Sequence, residues 1–199
     1  MPAQPLKVPV LGDHVPRRGN AFSHSLARLA LRLTGWRFAG DFPNVPRFVL
    51  IVAPHTSNWD FPIGLMAMFA LNLRGVFLGK HTLFRWPFGG IMRWLGGAPV
   101  DRSSAHNVVY QTIALIRGSE QLVLVVSPEG TRKKLPKWRT GFYYVAKGAG
   151  VPIVPIAFDY STRTFRIFPP LVAGEDKDAD FAALRAHFDP GMARYPAQY

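Results

Sequence analysis

Three apolar runs constrain this chain more than any other feature: "RFVLIVA" at Arg47–Ala53, "QLVLVVS" at Gln121–Ser127, and "VPIVPIAFDY" at Val151–Tyr160. Each reads as a buried strand. Stretches with helical spacing lie between and around them: Pro62–Leu73, Ala105–Arg117 and Thr140–Gly150, the last ending in glycine. Shorter strands are expected at Gly75–Lys80, Ala98–Asp101 and Arg163–Phe168, and a peripheral helix in the acidic stretch 174–188. Strands separated by helices predict an α/β fold, a single domain with a mixed, partly parallel β-sheet flanked by helices.

Residues 1–20 are rich in Pro, Gly and basic side chains and form an N-terminal extension; 21–199 make the domain, and its motifs fall within 47–160. At the domain's start, Ala21–Trp36 spaces Phe22, Leu26, Leu29, Leu33 and Trp36 at three- and four-residue steps, interrupted by Arg28 and Arg32, with Gly35 as a stop. This is a basic amphipathic helix. It suits two uses equally, lying on a membrane or packing on the domain's own sheet.

Charge narrows the partners. Lys and Arg number 24 against 12 Asp and Glu, a net +12. Five of the twelve acids fall between Glu175 and Asp189, so the body before them is still more basic. Such a surface suits nucleic acid, anionic lipid or a phosphorylated substrate. Cysteine is absent, which excludes disulfides, thiolate metal ligands and a cysteine nucleophile. No stretch reaches 18 consecutive apolar residues, and the first 19 lack the apolar core of a secretory signal.

The first strand runs directly into "APHTSNWDFP" (Ala53–Pro62). On an ideal helix His55 and Asp60 would stand about 140° apart. They meet only if His55 ends the strand, "TSN" turns, and Asp60 opens a helix as its N-cap. A carboxylate on one imidazole nitrogen would then leave the other as a general base. The pattern alone is common by chance. "VVSPEGTRKK" (Val125–Lys134) repeats the layout: strand, tight Gly130 turn, then cations able to clasp phosphate. Between the two, Gly79–Ser103 carries aromatics with Arg85 and Arg93, suited to an apolar groove or to lipid, and ends in "GGAPVDR" with Arg102.

These blocks stand in the order of the glycerolipid acyltransferases, and the chain resembles the 1-acylglycerol-3-phosphate O-acyltransferase group. H-x-x-x-x-D matches His55 and Asp60; "GGAPVDR" is similar to the second block; P-E-G-T-R matches Pro128–Arg132; "VPIVPI" matches Val151–Ile156. The resemblance implies acyl transfer from acyl-CoA or acyl carrier protein (ACP) to a hydroxyl. In it His55 is the general base and Asp60 orients it. Arg102, Glu129, Gly130, Thr131 and Arg132 bind the acceptor. Lys80, Arg139, Val151, Pro152 and Ile153 help shape the acyl or acceptor pocket, and Lys147 could add to the anion site. No metal or bound cofactor is implied. The expected partners are a lysophospholipid or other hydroxyl acceptor, the acyl donor and an anionic membrane surface, and no nucleic acid. The expected location is cytoplasmic, peripheral on the inner face of the cell membrane.

His81 and His106 read as surface or supporting residues, and His14, His24 and His187 have no acidic partner at suggestive spacing. Ser127 lacks a G-x-S-x-G setting, against a serine hydrolase. Two kinds of alternative stay open. One keeps the fold but takes a non-glycerolipid acceptor or hydrolyses thioesters. The other is a non-catalytic module binding anionic lipid or nucleic acid.

Overall fold

The computed structural model describes residues 7–100, 104–131, 134 and 137–199. In chain order the elements are α1 (Ala21–Thr34), β1 (Arg37–Ala39), β2 (Arg47–Ala53), α2 (Asp60–Ala70), β3 (Gly75–Lys80), α3 (Gly89–Trp94) and β4 (Gly97–Val100). Then come α4 (Ala105–Arg117), β5 (Leu122–Val126), α5 (Gly141–Ala149), β6 (Ile153–Asp159), β7 (Thr164–Ile167) and α6 (Lys177–Arg185). The strands form one sheet in the order β1-β7-β6-β2-β5-β3-β4. Every pairing is parallel except the β6–β7 hairpin.

The apolar runs become the central strands because both faces of the sheet are covered. On β2, Phe48 and Leu50 face a core with α1, α2 and β7, while Val49, Ile51 and Ala53 face one with α5 and α6. β6 divides likewise, with Val154, Ile156 and Phe158 on the first face and Ile153 and Ala157 on the second. β2 pairs with β5 on one side and β6 on the other, so the ends of all three strands open on one edge. Residues 7–20 wrap the body: Leu11 and Val15 are buried, and Arg17 bridges to Leu73.

The first helix differs from the expected one in what it buries. Asn20 caps it by accepting from Ser23 N–H at 3.0 Å, and left-handed Gly35 ends it. Trp36, expected on the helical stripe, lies beyond the helix and stacks on Phe165 at 4.6 Å. Ala27 and Leu31 are the residues that pack inward. At about 100° per residue, Phe22, Leu26, Leu29 and Leu33 point nearly the opposite way, and all four are exposed. The aromatic segment is also largely outside. Phe84 is buried, but Trp86 is 93% exposed and Phe88, Ile91 and Trp94 are more than half exposed.

Candidate active site

β2 ends at Ala53, and Pro54 carries the chain into His55 at the sheet edge. The turn that follows brings Asp60 back to it: His55 Nδ1–H donates to Asp60 Oδ2 across 2.9 Å. The Asp60 side chain is 2% exposed and that of His55 22%, so the carboxylate is interior and the imidazole reaches outward. Asp60 is not the N-cap of α2. Trp59 holds that position without a side-chain cap bond. Asp60 is instead the first helical residue, and its Oδ2 also accepts from Ser57 N–H at 2.8 Å. Committed to His55 and Ser57, the carboxylate cannot reach forward to cap its own helix.

The second turn joins the first directly. β5 neighbours β2 in parallel register, so Glu129 emerges beside His55. Glu129 Oε2 accepts from the main-chain N–H of His55 at 2.7 Å. The glutamate is 8% exposed, and its Oε1 is buried with no hydrogen-bond partner among the described residues. Burial pushes the carboxyl up to about 7, against an opposing pull from the His55 amide and ring. The glutamate read as an acceptor ligand thus braces the histidine turn. Gly130 follows with φ +65° and leaves room for Arg139, whose Cδ a Cβ there would meet at 2.7 Å.

His55, Asp60, Gly130, Thr131 and Arg139 border a cavity of about 1370 Å³. Most of the rest of its lining is apolar and comes from both core faces, with Leu50, Met68 and Phe158 on one and Leu124, Phe142 and Val145 on the other. His106, read as a surface or supporting residue, also borders it.

Other sequence-derived positions fall elsewhere. Val151, Pro152 and Ile153 stand at the start of β6, the far end of the sheet from His55, and do not line the cavity. The same strand reaches it later, through Ile156 and Phe158, because sites in parallel sheets form at the carboxyl ends of strands. Lys80 ends β3 exposed and outside the lining. Lys147 is held by Gly174 O at 2.7 Å and Glu175 at 3.3 Å, also outside it. Arg102 and Arg132 lie outside the described residues. Among the described residues, no group of three or more His, Asp or Glu side chains could hold a metal ion.

Two residues next to the pair carried no sequence signal. The Tyr160 hydroxyl donates to Asp60 Oδ1 at 2.5 Å from 100 positions away. The Arg194 guanidinium lies 5.5 Å from the Trp59 ring centroid and 5.8 Å from that of Tyr160. Chemically, an imidazole whose Nδ1–H is fixed on a carboxylate offers Nε2 to a hydroxyl proton, beside space for an apolar chain.

A family model described as Acyltransferase matches residues 41–159, and the chain belongs to that family. Its relatives place it among the glycerolipid acyltransferases. It is 32% identical to a 1-acyl-sn-glycerol-3-phosphate acyltransferase of Haemophilus influenzae over 60% of this chain and 51% of that one. It is 28% identical to the enzyme of that name from Escherichia coli over 76% and 64% of the respective chains. The chain therefore spans about half to just under two thirds of these curated relatives. The crystal structure of the 1-acyl-sn-glycerophosphate acyltransferase PlsC from Thermotoga maritima has the same fold: TM-score 0.65, 17% identity, 86% of this chain and 77% of that one covered. Among the described residues no helix is long and apolar enough to cross a membrane.

Proposed function

We propose that this protein transfers a fatty acyl group from acyl-CoA or acyl-ACP to the free hydroxyl of a lysophospholipid, by default 1-acylglycerol-3-phosphate. The observation that carries the reading is the His55 imidazole, held through Nδ1 by buried Asp60 at the mouth of a largely apolar cavity. The names of the relatives support the acceptor class.

The acyl chain occupies the apolar cavity with its thioester at the His55 end. The acceptor oxygen attacks the thioester carbonyl carbon while its proton passes to His55 Nε2. The tetrahedral intermediate then collapses, the C–S bond breaks, and the departing thiolate takes the proton back from the imidazolium. Ester and free thiol are the products, and no enzyme nucleophile enters. Arg139 at the mouth, with Arg102 and Arg132, receives the acceptor's phosphate. The exposed stripe Phe22, Leu26, Leu29 and Leu33, with Arg28 and Arg32, rests the protein on an anionic membrane where the lysophospholipid acceptor resides.

The test incubates purified protein with acyl-CoA or acyl-ACP and a panel of lysophospholipids, products read by mass spectrometry. Phosphatidate formed from lysophosphatidate, and lost in His55→Ala, is the expected result. Free fatty acid released without any acceptor would instead mean a thioesterase and overturn the reading.

A further inference from the structure

Asp60 holds His55 through one carboxylate oxygen, and the other is equally engaged. Oδ2 takes His55 Nδ1–H and Ser57 N–H, while Oδ1 takes the Tyr160 hydroxyl. Rotating the carboxylate would break at least two of these three bonds. Tyr160 follows β6 directly, and its main-chain N–H donates to Met192 O at 2.9 Å. Its ring stands edge-on to Trp36 at 5.1 Å. Burial, then the Asp60 hydrogen bond and charge, push the phenol well above its ordinary value, so the hydroxyl remains a donor.

The segment 190–199 holds this arrangement at three further points. Arg194 lies over the rings of Tyr160, of Trp59 next to Asp60, and of Tyr195. The Tyr195 N–H donates to Thr56 Oγ1 at 3.2 Å, one residue after His55. Among the described residues, the titratable groups that act on Asp60 are thus His55 and Glu129 from the turns after β2 and β5 and Tyr160 from the end of β6, while the charge of Arg194 acts on Tyr160.

We infer that Tyr160 and Arg194 are positioning residues for the proposed transfer, Tyr160 fixing the Asp60 carboxylate that aims His55 and Arg194 clamping the Tyr160 ring. The inference rests on the reading of His55 as the base. Neither residue lines the cavity, so each acts on the chemical step through the His55–Asp60 pair.

The experiment compares the wild-type full chain with Tyr160→Phe, Arg194→Ala, Arg194→Lys and the Tyr160→Phe/Arg194→Ala double variant. Tyr160→Phe is expected to lower kcat about tenfold, the scale of one hydrogen bond to a charged group, with KM for donor and acceptor within about twofold. Arg194→Ala is expected to cost about threefold, cation–π contacts at exposed sites being weak. Arg194→Lys recovers part of that loss, and the double variant is no worse than Tyr160→Phe alone. A readout without substrate accompanies these: the proton resonance of His55 Nδ1–H, whose position changes in Tyr160→Phe while the melting transition stays cooperative. A kcat within twofold of wild type, or an unmoved resonance in a folded Tyr160→Phe protein, overturns the inference. If the wild type transfers no acyl group, the proposed function fails, and the resonance still decides whether Tyr160 sets the His55–Asp60 geometry.

Discussion

The main-chain N–H of His55 donates to the buried Glu129 carboxylate across 2.7 Å, joining turns 74 positions apart in sequence. The burial of that carboxyl, which outweighs the bond's opposing pull, has a consequence for stability. Burial raises Glu129 from 4.5 to about 7 in the folded chain. A carboxyl raised on folding stabilises fully below its unfolded value, and that contribution is lost as pH rises through the folded one. The difference is about 3 kcal/mol at one unit per 1.4 kcal/mol. Glu129→Gln lacks this slope, because an amide does not ionise. Denaturant unfolding at pH 5 and pH 8 should show wild-type stability falling by roughly 2–3 kcal/mol relative to Glu129→Gln. Parallel pH profiles in the two proteins would place the ionisation elsewhere.

Asp60 supplies a test of the paired geometry. Asp60→Asn keeps the shape of the side chain but replaces one acceptor oxygen with an NH2 group. Either the His55 Nδ1–H or the Tyr160 hydroxyl then meets a donor. General-base assistance is worth about 10²–10⁴-fold, so kcat should fall within that range while KM for the acyl donor changes little. Steady-state kinetics on both substrates checks this, and a loss confined to KM would contradict an orienting role for Asp60.

Gly130 is the position where the third motif needs glycine. Its φ is +65°, and an added Cβ would stand 2.7 Å from Arg139 Cδ. Gly130→Ala should lose about 1–2 kcal/mol from the left-handed backbone alone. Its methyl also pushes Arg139 from the cavity mouth, so KM for a phosphorylated acceptor should rise. Chemical denaturation and acceptor titration measure the two effects separately. An alanine variant equal to wild type in both would remove Arg139 from acceptor binding.

Much of this architecture could be read before folding, and for a physical reason. β2, β3 and α4 occupy the residues expected of them, because a buried apolar run and a helical spacing carry their structure locally. β1 was missed: three residues at the sheet edge, held by pairing with β7 more than 120 positions away. α3 was missed as well, opening on Gly89 and Gly90, poor helix formers kept helical by tertiary contacts such as Arg93 over the Phe84 ring. At the site, His55 and Asp60 were legible because one short turn joins them. Glu129 was read as an acceptor ligand, and its bracing of the histidine turn had no sequence signal, since its partner is a main-chain amide on another loop. "VPIVPI" was legible as a strand, yet only the parallel register shows that Ile156, not Val151, reaches the cavity end. Tyr160 and Arg194 had no local signal, their partners being wholly long-range.

The face that α1 leaves uncovered yields a prediction independent of the chemistry. Phe22, Leu26, Leu29 and Leu33 are each more than half exposed, while Ala27 and Leu31 on the opposite side hold the helix against the body. Replacing the four exposed residues with Ser or Gln removes apolar surface without touching the core, so folding stability should change by less than about 1 kcal/mol. Binding to vesicles containing anionic phosphatidylglycerol should fall by tenfold or more, since each buried large apolar side chain is worth about 1.5–3 kcal/mol. Arg28→Gln with Arg32→Gln should weaken binding further at low salt and little at high salt, where screening already removes the attraction. Vesicle sedimentation at two ionic strengths separates the contributions. The variants should also lose transfer to bilayer-presented lysophospholipid while keeping it toward the same acceptor in detergent micelles. Equal loss in both media would assign the stripe to folding or to the reaction itself.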